Sequence, residues 1–176
     1  ALASAYYSLS KIAPKNLSRS FLDRGTLYLK HGLATVEEGH LSNLYAALGS
    51  HDLLRRRIGA AVQHYRRAIE LAERFHHSDQ RMGELLAELG WAEVHQGARS
   101  VGRKRISEGV SLMVASGASP GFVARGLRKQ AAAEILTFHV GRAYATTRKA
   151  SAIVEEHGLF DQRDILIRTS DRIHGV

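Results

Sequence analysis

Apolar positions along this chain recur every three or four residues, with polar and charged residues between them. That spacing gathers the apolar side chains on one face of a helix. Applied throughout, it predicts helices near residues 2–11, 17–31, 35–54, 57–76, 79–96, 100–116, 120–138, 141–157 and 160–173. Start and stop signals agree with it. Ser78-Asp79 opens one helix with a capping residue and Gly97 closes it; Ser100 caps the next, which ends at Gly117; Ser119-Pro120 starts another.

The helical pattern itself repeats. A shift of 41 residues superposes three copies without a gap. The first helix of each copy carries Tyr45, Leu48 and Gly49, then Leu86, Leu89 and Gly90, then Leu127, Gln130 and Ala131. The second carries Ala61, Tyr65 and Ala68, then Gly102, Ile106 and Gly109, then Ala143, Thr147 and Ala150. Leu71, Leu112 and Ile153 continue the register, and Gly117 falls on Gly158. Small residues let two helices approach and the bulky residue between them fills the space beside the contact. One such hairpin cannot bury its apolar face alone, so hairpins must stack. The expected fold is all-α: a single domain over 1–176 with repeats at about 35–76, 77–117 and 118–158. A partial repeat over 1–32 precedes them, containing Ser18, Leu22 and Gly25, and a capping helix over 160–173 follows, containing Ile165, Leu166 and Ile173.

Composition narrows the class of protein. Cysteine is absent, which removes disulfides and thiolate metal sites and suits a reducing compartment such as the cytoplasm. No apolar run reaches the ~20 residues of a transmembrane helix. The net charge of +8 asks for an acidic partner or serves solubility. Acids sit beside bases along most helices, as Glu70 and Glu73 do beside Arg66, Arg67 and Arg74, which describes a mixed-charge solvated surface. Catalytic signatures are missing: there is no nucleophile elbow, no phosphate-cradling glycine loop and no His-Glu-x-x-His. The chain is therefore read as no enzyme, with no cofactor. Glu37-x-x-His40 and Glu73-x-x-His76 have the spacing of carboxylate-bridged metal helices, but both fall at predicted helix ends and are read as exposed terminal residues. Arg55-Arg56-Arg57 and Arg103-Lys104-Arg105 stand near the starts of second helices, where cations oppose the helix dipole and a partner contact is conceivable.

The run Leu86-Ala87-Glu88-Leu89-Gly90, followed by Gly97, Gly102, Ile106 and Gly109, resembles the tetratricopeptide repeat. The period of about 40 residues and the Ser78-Asp79 turn look like the longer variant of kinesin light chains and of bacterial regulators such as the maltose activator. The resemblance covers residues 35–158 and departs at Asp52, Glu93 and Glu134, which replace a usual tyrosine, and in lacking the proline at the repeat end. It implies a right-handed superhelical solenoid whose concave groove binds a protein or peptide, within a bacterial regulatory or signalling protein. Two other functions stay open: an effector-sensing domain of a transcription regulator, and a basic solenoid binding nucleic acid.

By the same resemblance the groove is lined by Asn43, Ser50, Glu84, Glu88, Trp91, Arg125, Arg128 and Lys129, with Ala46, Ala47, Ala87 and Ala132 between them. Trp91, the single tryptophan, is the expected anchor, partly exposed until a partner covers it. Arg125 and Lys129 share a face and match two places of the family's carboxylate clamp. Ala46, Ser50 and Glu88 do not match the others, so a generic anionic contact, such as an acidic peptide segment, is expected there.

Overall fold

A computed structural model describes residues 15–35 and 37–159. Among them are seven α-helices, one short 3₁₀ turn and no strand. In chain order the helices are α1 (Lys15–Thr35), α2 (Leu41–Leu54), α3 (Ile58–Arg74), α4 (Asp79–Gln96), α5 (Arg99–Ala115), α6 (Pro120–Leu136) and α7 (Val140–Glu156). The helices expected over 2–11 and 160–173 lie outside the described residues. Two compact units divide the chain between His76 and His77, and each is described by itself.

In the first unit α2 and α3 form an antiparallel hairpin with α1 packed on α2. The expected helix over 35–54 is shorter at its start: Glu38–His40 makes the 3₁₀ turn, and the α-helix begins at Leu41. Tyr65 is completely buried, with its ring against Gly49, where a Cβ would come within 2.9 Å of ring carbons. Leu48 and Leu71 are buried too, each contributing about 2 kcal/mol by leaving water. Seven residues from Gly49, the buried Ser42 hydroxyl donates to the Ala68 carbonyl at 2.8 Å and ties the hairpin at its open end.

In the second unit two hairpins, α4–α5 and α6–α7, stack through α5 against α6 and α4 against α6. At the α4–α5 joint the two backbones come into direct contact. A Cβ on Gly83 would sit 2.7 Å from the Gly109 carbonyl oxygen, and one on Gly90 2.6 Å from that of Gly102. Met113 reaches across to α6, where Gly126 makes room for its methyl group. Its side chain joins Ile106, Val110, Val123, Leu127 and Val154 in the core. Leu89 and Ile106 are buried as the register requires, whereas Leu112 and Ile153 are only half-buried, the adjacent Met113 and Val154 being the buried residues at these ends.

The turns obey the same register. Arg56, Gly97 and Phe138 all take the left-handed conformation, with φ of 60°, 102° and 60°. His76, Gly117 and Gly158 take it after the second helices. At the hairpin tips the next residue's N–H reaches back to the helix: Arg57 to the Asp52 carbonyl at 2.8 Å, Ala98 to Glu93 at 3.0 Å, His139 to Glu134 at 2.8 Å. This closes the helix C-terminus with a left-handed residue and a six-residue hydrogen bond. It also corrects the expected start of α5. The helix resumes at Arg99 after Ala98, and Ser100 lies inside it and does not cap it.

Candidate functional site

The acids that depart from the tetratricopeptide pattern are structural. Asp52, Glu93 and Glu134 are 5%, 2% and 3% exposed at the last turn of each first helix. Twelve residues on, the second helix supplies each with a donor. His64 Nδ1 meets Asp52 Oδ2 at 2.9 Å, Arg105 Nε meets Glu93 Oε2 at 2.9 Å, and the Thr146 hydroxyl donates to Glu134 Oε2 at 2.8 Å. A buried carboxylate is tolerable only with such partners, so each hairpin carries one internal polar clasp. No single residue type marks the donors, which is why periodicity passed over them.

The expected groove residues fall in both units. In the first, Asn43 is exposed on α2, and the Ser50 hydroxyl is occupied, donating to the Ala46 carbonyl at 3.2 Å and lying 2.9 Å from the Tyr65 hydroxyl. In the second, Glu84, Glu88 and Trp91 form one stripe of α4, and Arg125 and Lys129 occupy the matching stripe of α6 with Arg128 beside them. The Lys129 ammonium meets the Glu88 carboxylate, two equivalent positions of successive repeats, so α4 and α6 lie side by side in register.

Charge on this face is largely spent internally. Lys129 does not project free into solvent for an anionic contact, since Glu88 takes its charge. Glu84 accepts from Arg81 at 3.0 Å and from Gln80 at 3.2 Å. Arg125 is exposed, with its guanidinium 4.4 Å over the Phe122 ring. Arg128 is half-buried and engaged within the protein. A carboxylate arriving at α6 would thus meet Arg125 first. Trp91 is half-buried, one side packed on the core beside buried Ala87 and its ring edge-on to His95 at 4.5 Å. The pair offers a large apolar surface with a polar neighbour, an arrangement that suits a contact covering the ring. Among the described residues, no three His, Asp or Glu side chains converge as a metal site needs. No helix among them is long and apolar enough to cross a membrane.

Comparison with known proteins agrees on fold alone. No family model and no curated protein matches the chain. Among solved structures, the apo form of RapI, a helical repeat protein, is similar with a TM-score of 0.69 at 10% sequence identity. The similarity takes in 94% of this chain and 57% of RapI, so the chain spans a little over half of that protein's length. The chain is a helical repeat protein.

Proposed function

We propose that this chain is a protein- or peptide-binding scaffold of the tetratricopeptide type, a solenoid of the longer-repeat kind serving a bacterial regulatory or signalling protein in the cytoplasm, without catalysis of its own. The carrying observation is the α4–α6 face: first helices of successive repeats aligned through Glu88 and Lys129, with the half-buried Trp91 between them and the repeat core. A face assembled from equivalent positions presents side chains at regular intervals, which suits an extended or helical segment better than a small compact ligand. The likeness to RapI supports the fold of such a scaffold and leaves its partner to chemistry.

The test is a selection of peptides from a random display library on the intact protein, followed by titration with Trp91 emission as readout. Selected peptides should shift the emission to shorter wavelength, and Trp91→Ala should weaken their binding about thirtyfold, the loss of roughly 2 kcal/mol typical of a hot-spot tryptophan. Peptides that bind the Trp91→Ala protein as well as the parent would remove this face as the binding site.

A further inference from the structure

The free positive charge of the second unit gathers at a different place, the end where α6 turns into α7 and α5 begins. Between Val94 and Ser107, and again between Ile135 and Val154, the chain has no Asp or Glu. Of the four acids that border these stretches, Glu93 and Glu134, at the end where α6 turns into α7, are buried and paired, and the exposed Glu108 and Glu155 lie two or more turns along α5 and α7. Arg99 and Arg142 stand exposed at the starts of α5 and α7. The Arg99 guanidinium donates to the Leu136 carbonyl at 3.5 Å, which places the start of α5 beside the end of α6.

The same end carries exposed apolar side chains. Phe138 is 86% exposed at the tip of the turn, with Leu136 before it and Val140 and Tyr144 after it at 39%, 37% and 47%. Val140 and Tyr144 are one turn apart and share a face of α7. Phe138 also breaks a local rule, because its left-handed backbone is where the preceding repeat has Gly97. A bulky residue there gains nothing in stability, and its ring packs on nothing that would offset the strain. The turn is nonetheless braced. The Thr137 hydroxyl donates to the Ala133 carbonyl at 2.9 Å, and His139 Nδ1 donates to the Thr137 carbonyl at 2.7 Å. The aromatic ring is therefore held out on a stiff support, which lowers the entropy lost when it is bound.

We propose that this tip, Phe138 with Leu136, Val140 and Tyr144 rimmed by Arg99 and Arg142, docks an acidic partner-protein segment that carries an apolar stripe between carboxylates. Charge complementarity selects that occupant. A second copy of this chain would bring further positive charge, and duplex nucleic acid offers phosphates but no seat for four apolar side chains. A bilayer would accept the Phe138 ring, but the other three apolar side chains are each less than half exposed, and together with two arginines they are little anchorage for a membrane. Arginine matches the planar carboxylate in fork geometry and is favoured at protein interfaces. The surface is separate from the Trp91 face and stands whether or not that face binds peptide.

The probe is a labelled amphipathic peptide with leucine at i, i+3, i+4 and i+7 flanked by glutamates, titrated with the full chain by fluorescence anisotropy. A glutamine-for-glutamate peptide, phosphatidylserine vesicles and a 20-nucleotide single strand are titrated alongside. The acidic peptide should bind, and Phe138→Gly, which relieves the turn and should not lower Tm, should weaken it at least about tenfold. Arg99→Gln with Arg142→Gln should weaken it similarly and flatten its salt dependence, and the glutamine peptide should bind at least about tenfold more weakly than the acidic one. Trp91→Ala should leave this binding unchanged. The proposal is overturned if the acidic peptide fails to bind at millimolar concentration, or binds the Phe138→Gly protein equally. It is equally overturned if the vesicles, the oligonucleotide or self-association show the Phe138 dependence instead.

Discussion

The α2–α3 and α4–α5 hairpins solve one packing problem at identical positions with different atoms. Where the first has Ser42 facing Ala68, the second has Gly83 facing Gly109; where the first has Gly49, Ala61 and Tyr65, the second has Gly90, Gly102 and Ile106. In the second hairpin the backbones themselves meet, glycine carbonyl against glycine, so no side chain fits between. In the first a serine hydroxyl occupies that gap and converts close approach into a hydrogen bond. The α6–α7 hairpin takes a third course, with buried Ala124, Ala131, Ala143 and Ala150 at all four small positions and Thr147 where the others have Tyr65 and Ile106. The register sets where helices meet, and the side-chain volume there sets how near.

The comparison can be broken most forcefully at the glycine joint. Gly102→Val should cost about 3 kcal/mol, because its Cβ would enter the space of the Gly90 carbonyl and the Val94 backbone N–H, which cannot swing aside. Chemical denaturation measures it, and a loss under 1 kcal/mol would mean that the helices separate freely. Next in size is the clasp above the joint. Arg105→Met takes the guanidinium away from the carboxylate of Glu93, only 2% exposed, and should cost about 2 kcal/mol, less than for a fully buried pair because Arg105 itself is part-exposed. The double variant Arg105→Met with Glu93→Leu should recover most of that loss, and failure to recover would show that the clasp is more than a buried charge and its partner. The smallest effect belongs to Ser42→Ala. It removes one hydrogen bond to a carbonyl near the helix interior and should cost about 1 kcal/mol. Gly83→Ser, which writes the first hairpin's solution into the second, should cost more than Ser42→Ala does, since the closer backbones leave the hydroxyl no room.

Much of this was legible beforehand, and the reasons for the exceptions are physical. Helix boundaries followed from apolar spacing and from glycine at 97 and 117, because a left-handed residue after a helix is cheapest as glycine. Arg56, His76 and Phe138 do the same job without announcing it; α2 still ends at Leu54 as expected, whereas α3 and α6 stop two residues short of the expected 76 and 138. The acids at 52, 93 and 134 were visible as departures from the family, but their meaning lay in donors as different as His64, Arg105 and Thr146. Surface charge was hardest to read. Arg125, Arg128 and Lys129 look like one cluster in the sequence, yet whether Lys129 is free depends on Glu88, 41 residues away. Phe138 carried one usable signal, an aromatic standing where the preceding repeat has glycine.

The left-handed residues at 56, 76, 97, 117, 138 and 158 also bear on how such a chain changes length over generations. Reversals arrive every 20 or 21 residues, and each polar clasp, tight joint and Glu88–Lys129 contact is counted from the nearest reversal. An in-frame loss or duplication of 41 residues between matching positions would rejoin a first helix to a second helix with every later pairing intact. A shorter change inside a helix would rotate the rest of that helix away from its partners, so a gene of this kind grows or shrinks most readily in whole repeats or at the turns between helices.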